Sequence, residues 1–88
     1  SANATAAVSA ATAPARRKLS YKEQRELAEL PARLEALEAE KVTLTGSTTD
    51  PGFYSRPHAE VAAQLSRLAA LDAQIEAAFT RWTELEAR

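Results

Sequence analysis

Cysteine is absent from the 88 residues, and glycine and proline number only two and four. Without cysteine there is no disulfide scaffold, no thiolate metal ligand and no thiol nucleophile, and the chain suits a reducing compartment. Large apolar residues are also scarce. The hydrophobic fraction is 45%, but 21 of those 40 residues are alanine, so 19 large apolar side chains remain. That is too few to wrap a globular core around a catalytic cleft, because small domains bury only a modest share of their surface. The longest uncharged stretch, at the N-terminus, is Ala/Thr-rich and lacks the large apolar residues of a signal or membrane-spanning segment. A cytoplasmic protein away from membranes is expected. His58 is the only histidine and has no second histidine or cysteine with which to share a metal. Gly46-Ser47-Thr48-Thr49 does not fit the glycine-rich pattern that cradles phosphates. Neither catalytic residue nor cofactor nor metal is expected.

What remains is a composition made for helices, since alanine is the best helix former and breakers are few. Residues 1–17 read as a tag remnant (Ser1-Ala2-Asn3-Ala4) and a flexible basic linker, and 18–88 as the folded domain. Ser20-Tyr21-Lys22-Glu23 fits a capping box and opens a helix. Leu27, Leu30, Leu34, Leu37 and Leu44 follow at the 3-4 spacing of a coiled-coil seam, with Lys41 at the missing slot. Pro31 interrupts that seam, so a short helix over 20–29 and a second over 31–44 are expected, broken or kinked at the proline.

Thr45 to Gly52 reads as a turn, and Phe53-Tyr54 as a plug folded over the end. A long helix then runs from Pro57, as its first residue, to about Ala87. Val61, Leu68, Ile75 and Trp82 recur every seven residues, with Leu71, Ala78 and Leu85 as companions and Leu65 and Phe79 widening the stripe. The expected fold is therefore all-α: a two-stranded antiparallel coiled-coil helical hairpin, monomeric because the turn is rich in helix-breaking residues. Reflection through the turn pairs positions whose numbers total about 103 on the loop length expected for such a hairpin. That puts Leu37 against Leu65 and Leu68, Leu27 against Ile75, and Tyr21 against Phe79 and Trp82. Homodimerisation through the same seams is the alternative assembly.

Formal net charge is −1, yet it is unevenly spread. Arg16, Arg17, Lys18, Lys22 and Arg25 lie together against Glu23 alone, a local balance of +4 beside a body of −5. Such a block reads either as an electrostatic contact patch or as a solubilising linker. Glu23, Glu26, Glu29, Glu35, Glu38 and Glu40, at helical spacing beside Lys and Arg, read as a solvated charged face.

The run Lys18-Leu19-Ser20-Tyr21-Lys22-Glu23-Gln24-Arg25-Glu26-Leu27, followed by Leu30-Pro31-Ala32-Arg33, resembles the C-terminal domain of ABC-F ATPases, most closely the Uup type. Asp50-Pro51-Gly52-Phe53-Tyr54 is similar to the Asp-Pro-x-x-Tyr turn of that domain, and Arg81-Trp82-Thr83-Glu84-Leu85 to its terminal Trp-x-x-Leu. The resemblance covers about Lys18 to Ala87. It implies a helical hairpin trailing two ATP-binding cassettes in a protein that acts on ribosomes, associated in Uup-like members with DNA binding. The ATPase residues belong to the cassettes, so no catalytic residue is carried over.

The resemblance and the charge segregation together imply a non-catalytic accessory domain. In it Arg16, Arg17, Lys18, Lys22, Arg25 and Arg33 would neutralise backbone phosphates of DNA or rRNA without reading sequence. The rival reading is a protein-contact coiled coil that docks on the cassettes or the ribosome and regulates ATP turnover.

Overall fold

The computed structural model describes residues 18–88. Arg16, Arg17 and the linker expected over 1–17 lie outside the described residues. Two helices, α1 (Tyr21–Thr48) and α2 (His58–Glu86), are joined by a single 3-10 turn, Phe53–Ser55. They lie antiparallel as the expected hairpin, each about 42–44 Å long at 1.5 Å per residue.

The start of α1 follows the local chemistry. The Ser20 hydroxyl accepts from the Glu23 amide at 3.1 Å, and the Glu23 carboxylate accepts from the Ser20 amide at 3.0 Å, closing the capping box. Pro31 does not break the helix, which runs through it without interruption. The ring costs one backbone bond, to the Leu27 carbonyl, and about 3 kcal/mol in a helix interior. Leu30 and Leu34 flank it, both buried in one cluster with Ala78 and Leu85. Burial at about 1.5–3 kcal/mol per side chain offsets the loss.

The far end of α1 also departs from expectation. The segment from Thr45 to Thr48 is helical instead of forming the turn, and Gly46 lies inside the helix. Side chains supply what the sequence weakness removes. The Thr48 hydroxyl donates to the Thr45 carbonyl and the Thr49 hydroxyl to that of Gly46, each at 2.7 Å, and the Gly46 carbonyl also accepts from the Thr49 amide at 3.2 Å, so side chains reinforce the last turn. The chain reverses over Thr49 to Pro57. Phe53 is fully buried and closes the hairpin, with the Arg56 guanidinium 5.5 Å above its ring, whereas Tyr54, edge-on to it at 4.8 Å, is exposed. Half of the expected aromatic plug is thus a plug. Pro57 caps α2 from outside, its carbonyl accepting from Glu60 and Val61, and His58 is the first helical residue.

Because α1 is longer than expected and the connection includes the 3-10 turn, the register differs from the reflection about 103. Facing residues total 107 at Glu26–Arg81 and Glu40–Arg67, and 108 where the Gln64 amide donates to the Leu44 carbonyl. Leu30, Leu34, Leu37, Val61, Leu71, Ala78 and Leu85 are the buried seam residues. Leu65 and Phe79, 40% and 48% exposed, lie outside it, and so does Tyr21 at 75%. Leu19, before the helix, packs on the cluster that closes the open end, beside Leu27, Ile75 and Trp82. No helix among the described residues is long and apolar enough to cross a membrane.

Candidate nucleic-acid interface

Lys22, Arg25 and Arg33 stand at spacings of three and eight along α1, which places them on one side of the helix with Glu29 between. All three are exposed, as is Lys18 just before the helix. Tyr21, Lys22, Arg25 and Glu29 line one shallow groove at the open end. Arg33 lies further along, in a second groove between the helices with Gln74, Ala77, Ala78 and Arg81. The structure therefore brings Lys22 and Arg25 to one groove and sets Arg33 along the same flank, while Lys18 is placed only as an exposed residue before the helix. Arg25 reaches Glu29 one turn on, at 3.8 Å, with both side chains mostly in water. Among the described residues, Lys18, Lys22 and Arg33 make no ion pair.

The acids within this basic stretch are occupied. Arg81 of α2 binds Glu26 with two hydrogen bonds, 2.7 and 2.9 Å, and lies 3.9 Å from Glu23. Arg88 also pairs with Glu23. The charge-assisted bonds from Arg81 hold the Glu26 carboxyl below its ordinary range, outweighing the partial burial that would raise it, and they raise the Arg81 guanidinium. One heptad pair further on, Arg67 grips Glu40 in the same two-pronged way at 2.7 and 2.8 Å, with the same directions of shift. Glu26 and Glu40, expected as members of a solvated face, are cross-hairpin staples instead.

These pairs repeat with a period of seven. Glu26, Arg33 and Glu40 on α1 stand opposite Arg81, Gln74 and Arg67 on α2, every pair of numbers totalling 107. Sequence reasoning did not find Arg67, Gln74, Arg81 and Arg88 as partners of the site, although their own seven-residue spacing, set against 26, 33 and 40, carried the signal. Chemically the flank can attract and hold anions; nothing on it can cleave a bond. Among the described residues no group of three or more histidines and carboxylates could hold a metal ion.

Comparison with known proteins points the same way. The profile of the family described as ABC transporter C-terminal domain matches residues 18–87. An ATP-binding protein Uup-like of Haemophilus influenzae is 51% identical over 69 residues, which are 78% of this chain and 15% of that protein. The ATP-binding protein Uup of Escherichia coli is 47% identical over 70 residues, 80% of this chain and 11% of its own length. A solved structure of the C-terminal domain of the Uup protein, described as a DNA-binding coiled coil motif, matches with a TM-score of 0.76 and 46% identity. The match covers 82% of this chain and 85% of that one. The chain thus spans less than a sixth of the curated relatives it matches.

Proposed function

The chain belongs to the ABC transporter C-terminal domain family, and from that premise we propose that it is a Uup-type accessory domain that holds DNA by its backbone phosphates. One observation carries this reading. Lys22, Arg25 and Arg33 project from one side of α1, while Arg81 of α2 and Arg88 just beyond its end engage the neighbouring Glu23 and Glu26. A flank whose acids are already neutralised presents net positive charge although the whole chain carries −1. The spacing supports phosphate contacts, which position a duplex, and offers no array of side chains for reading base edges. Arg16, Arg17 and Lys18 precede α1 in sequence and would add further phosphate contacts. rRNA presents the same phosphates and is the competing polymer. The domain would work without a cofactor, in the cytoplasm, as a monomer attached to ATP-hydrolysing cassettes.

The test is a binding titration of this fragment with duplex DNA, branched DNA and rRNA at several salt concentrations. Each phosphate contact contributes a slope of about −0.9 in log K against log salt, so the triple variant K22Q/R25Q/R33Q should flatten the slope by about 2 to 3. A wild-type affinity indifferent to salt, or an unchanged slope in the triple variant, overturns the reading.

A further inference from the structure

The opposite flank of the hairpin has another character. On α2 the seam facing α1 runs through the buried Val61, Leu71, Ala78 and Leu85 and the half-buried Leu68, Ile75 and Trp82. A second row, Leu65, Leu68, Asp72, Ile75, Phe79, Trp82 and Glu86, has the same alternating spacing of three and four, and shares Leu68, Ile75 and Trp82 with the first. α1 covers only one of the two rows. Leu68, Ile75 and Trp82 are half-buried, while Leu65 and Phe79 are left 40% and 48% exposed. Val42 of α1, 72% exposed, lies beside Ile75 in a shared groove with Thr45 and Glu38 and so widens the apolar strip.

This strip is ordered. The Phe79 and Trp82 rings stack at 6.4 Å with 9° between their planes, and the indole nitrogen donates to Glu86 at 2.8 Å. From 65 to 86 it extends for about 31 Å at 1.5 Å per residue, the length of three heptads. Its members also lie about 100–160° around α2 from the positions of Arg67, Gln74 and Arg81, at roughly 100° of turn per residue. Its border is acidic. Glu38 and Glu86 flank the apolar residues, and the cation beside them, Lys41, is held by Asp72 at 2.6 Å. A polyanion is repelled by such a border, and a second copy would set the same carboxylates against one another.

We propose that this flank, built on Leu65, Leu68, Ile75, Phe79 and Trp82, is the docking site for a cationic amphipathic helix of a partner protein. Its apolar row would complete a three-helix arrangement, and its flanking Lys or Arg residues would meet Glu38 and Glu86. Helix-in-groove recognition of this kind uses anchors at spacings of three and four, which the exposed row supplies. The hairpin then carries two surfaces of opposite preference: one for phosphates, the other for a protein.

Trp82 is the only tryptophan and lies in the strip, so its emission reports occupancy directly. Two synthetic 21-residue helical peptides with the same leucine row would be titrated, one flanked by lysine and one by glutamate. A scrambled lysine peptide of equal charge is the control. The expected result is a saturable shift in Trp82 emission with the lysine-flanked peptide, at least tenfold weaker binding of the other two, and a tenfold or greater loss in L65S/F79S. Both substituted positions are exposed, and helicity by circular dichroism verifies the fold of that variant. Failure of the lysine-flanked peptide to bind, or equal binding of all three, overturns the proposal. So does sedimentation showing a dimer abolished by L65S/F79S, or loss of DNA affinity in that variant, because either outcome assigns the strip to another occupant.

Discussion

Arg33 of α1 stands opposite Gln74 of α2 at the step of the polar seam where the flanking heptads place Glu26 against Arg81 and Glu40 against Arg67. An acid at 74 would extend the run of ion pairs, and glutamine leaves the Arg33 charge available to a ligand. Substitution Q74E should leave the melting temperature unchanged or slightly raised. It should also weaken DNA binding and lower the salt slope by about 0.9, the share of one phosphate contact. Parallel thermal melts and salt titrations check it; a variant that binds as tightly as the parent removes Arg33 from the interface.

The Arg81 and Arg67 bonds set an acid limit on stability. Glu26 and Glu40 have carboxyl groups depressed in the folded state, first by their hydrogen bonds to arginine. The unfolded chain, with carboxyls near about 4.3, therefore binds protons first as pH falls. This stabilisation is complete above that value and is lost as pH drops through the lower folded values. Melts from neutral pH down to strongly acidic buffer should show a falling midpoint. In E26Q/E40Q the midpoint should start lower and fall less steeply; equal steepness would mean that other carboxyls set the acid response.

Leu71 and Phe53 are both fully buried, one at the middle of the seam and the other under the turn. Leu71→Ala should cost about 2–5 kcal/mol and Phe53→Ala about 3–5 kcal/mol, from lost transfer energy and an unfilled cavity. Leu65→Ala, six residues from Leu71 but 40% exposed, should stay within about 0.5 kcal/mol. Chemical denaturation of the three variants checks the order; a Leu65→Ala loss as large as that of Leu71→Ala would put Leu65 in the seam.

Gly46 and Pro31 are the two weak points inside α1. No atom lies within 4 Å of where a Gly46 side chain would begin, and its φ is not positive. Gly46→Ala should therefore add about 0.5–1 kcal/mol. Pro31 is exposed, and Pro31→Ala restores the amide facing the Leu27 carbonyl, for a gain of up to about 3 kcal/mol. Denaturant midpoints measure both, and a loss of stability in either variant would show that the residue has a packing role.

Much of the hairpin was legible in the leucine spacing and in the Ser20–Glu23 box, because both are local patterns. The register was not, since it depends on where α1 stops. That end is set by hydroxyls at Thr48 and Thr49 working against the local weakness of Gly46. An error of about four residues in that reflection redirects every cross-helix contact. It placed Leu65 in the core and Phe79 against Tyr21, whereas Leu65, Phe79 and Tyr21 are all exposed. Continuity through Pro31 was equally hidden, because it rests on Leu30 and Leu34 being buried by the other helix. Of the interface, Lys22, Arg25 and Arg33 were visible as charges. The neutralisation of Glu23 and Glu26 was not, because it is delivered from the far end of the chain, by Arg81 and Arg88.

The total of 107 shared by Glu26–Arg81, Arg33–Gln74 and Glu40–Arg67 makes this flank of the two arms a graduated ruler with matched marks. Excising one seven-residue period from each arm at the same height would leave all surviving marks aligned, and only the reach would shrink, by about 10 Å at 1.5 Å per residue. Excising a period from one arm alone would shift every mark below the cut. Length in such a lineage can therefore change only by paired steps, and the distance at which the cationic end is held from the closed tip comes in discrete sizes.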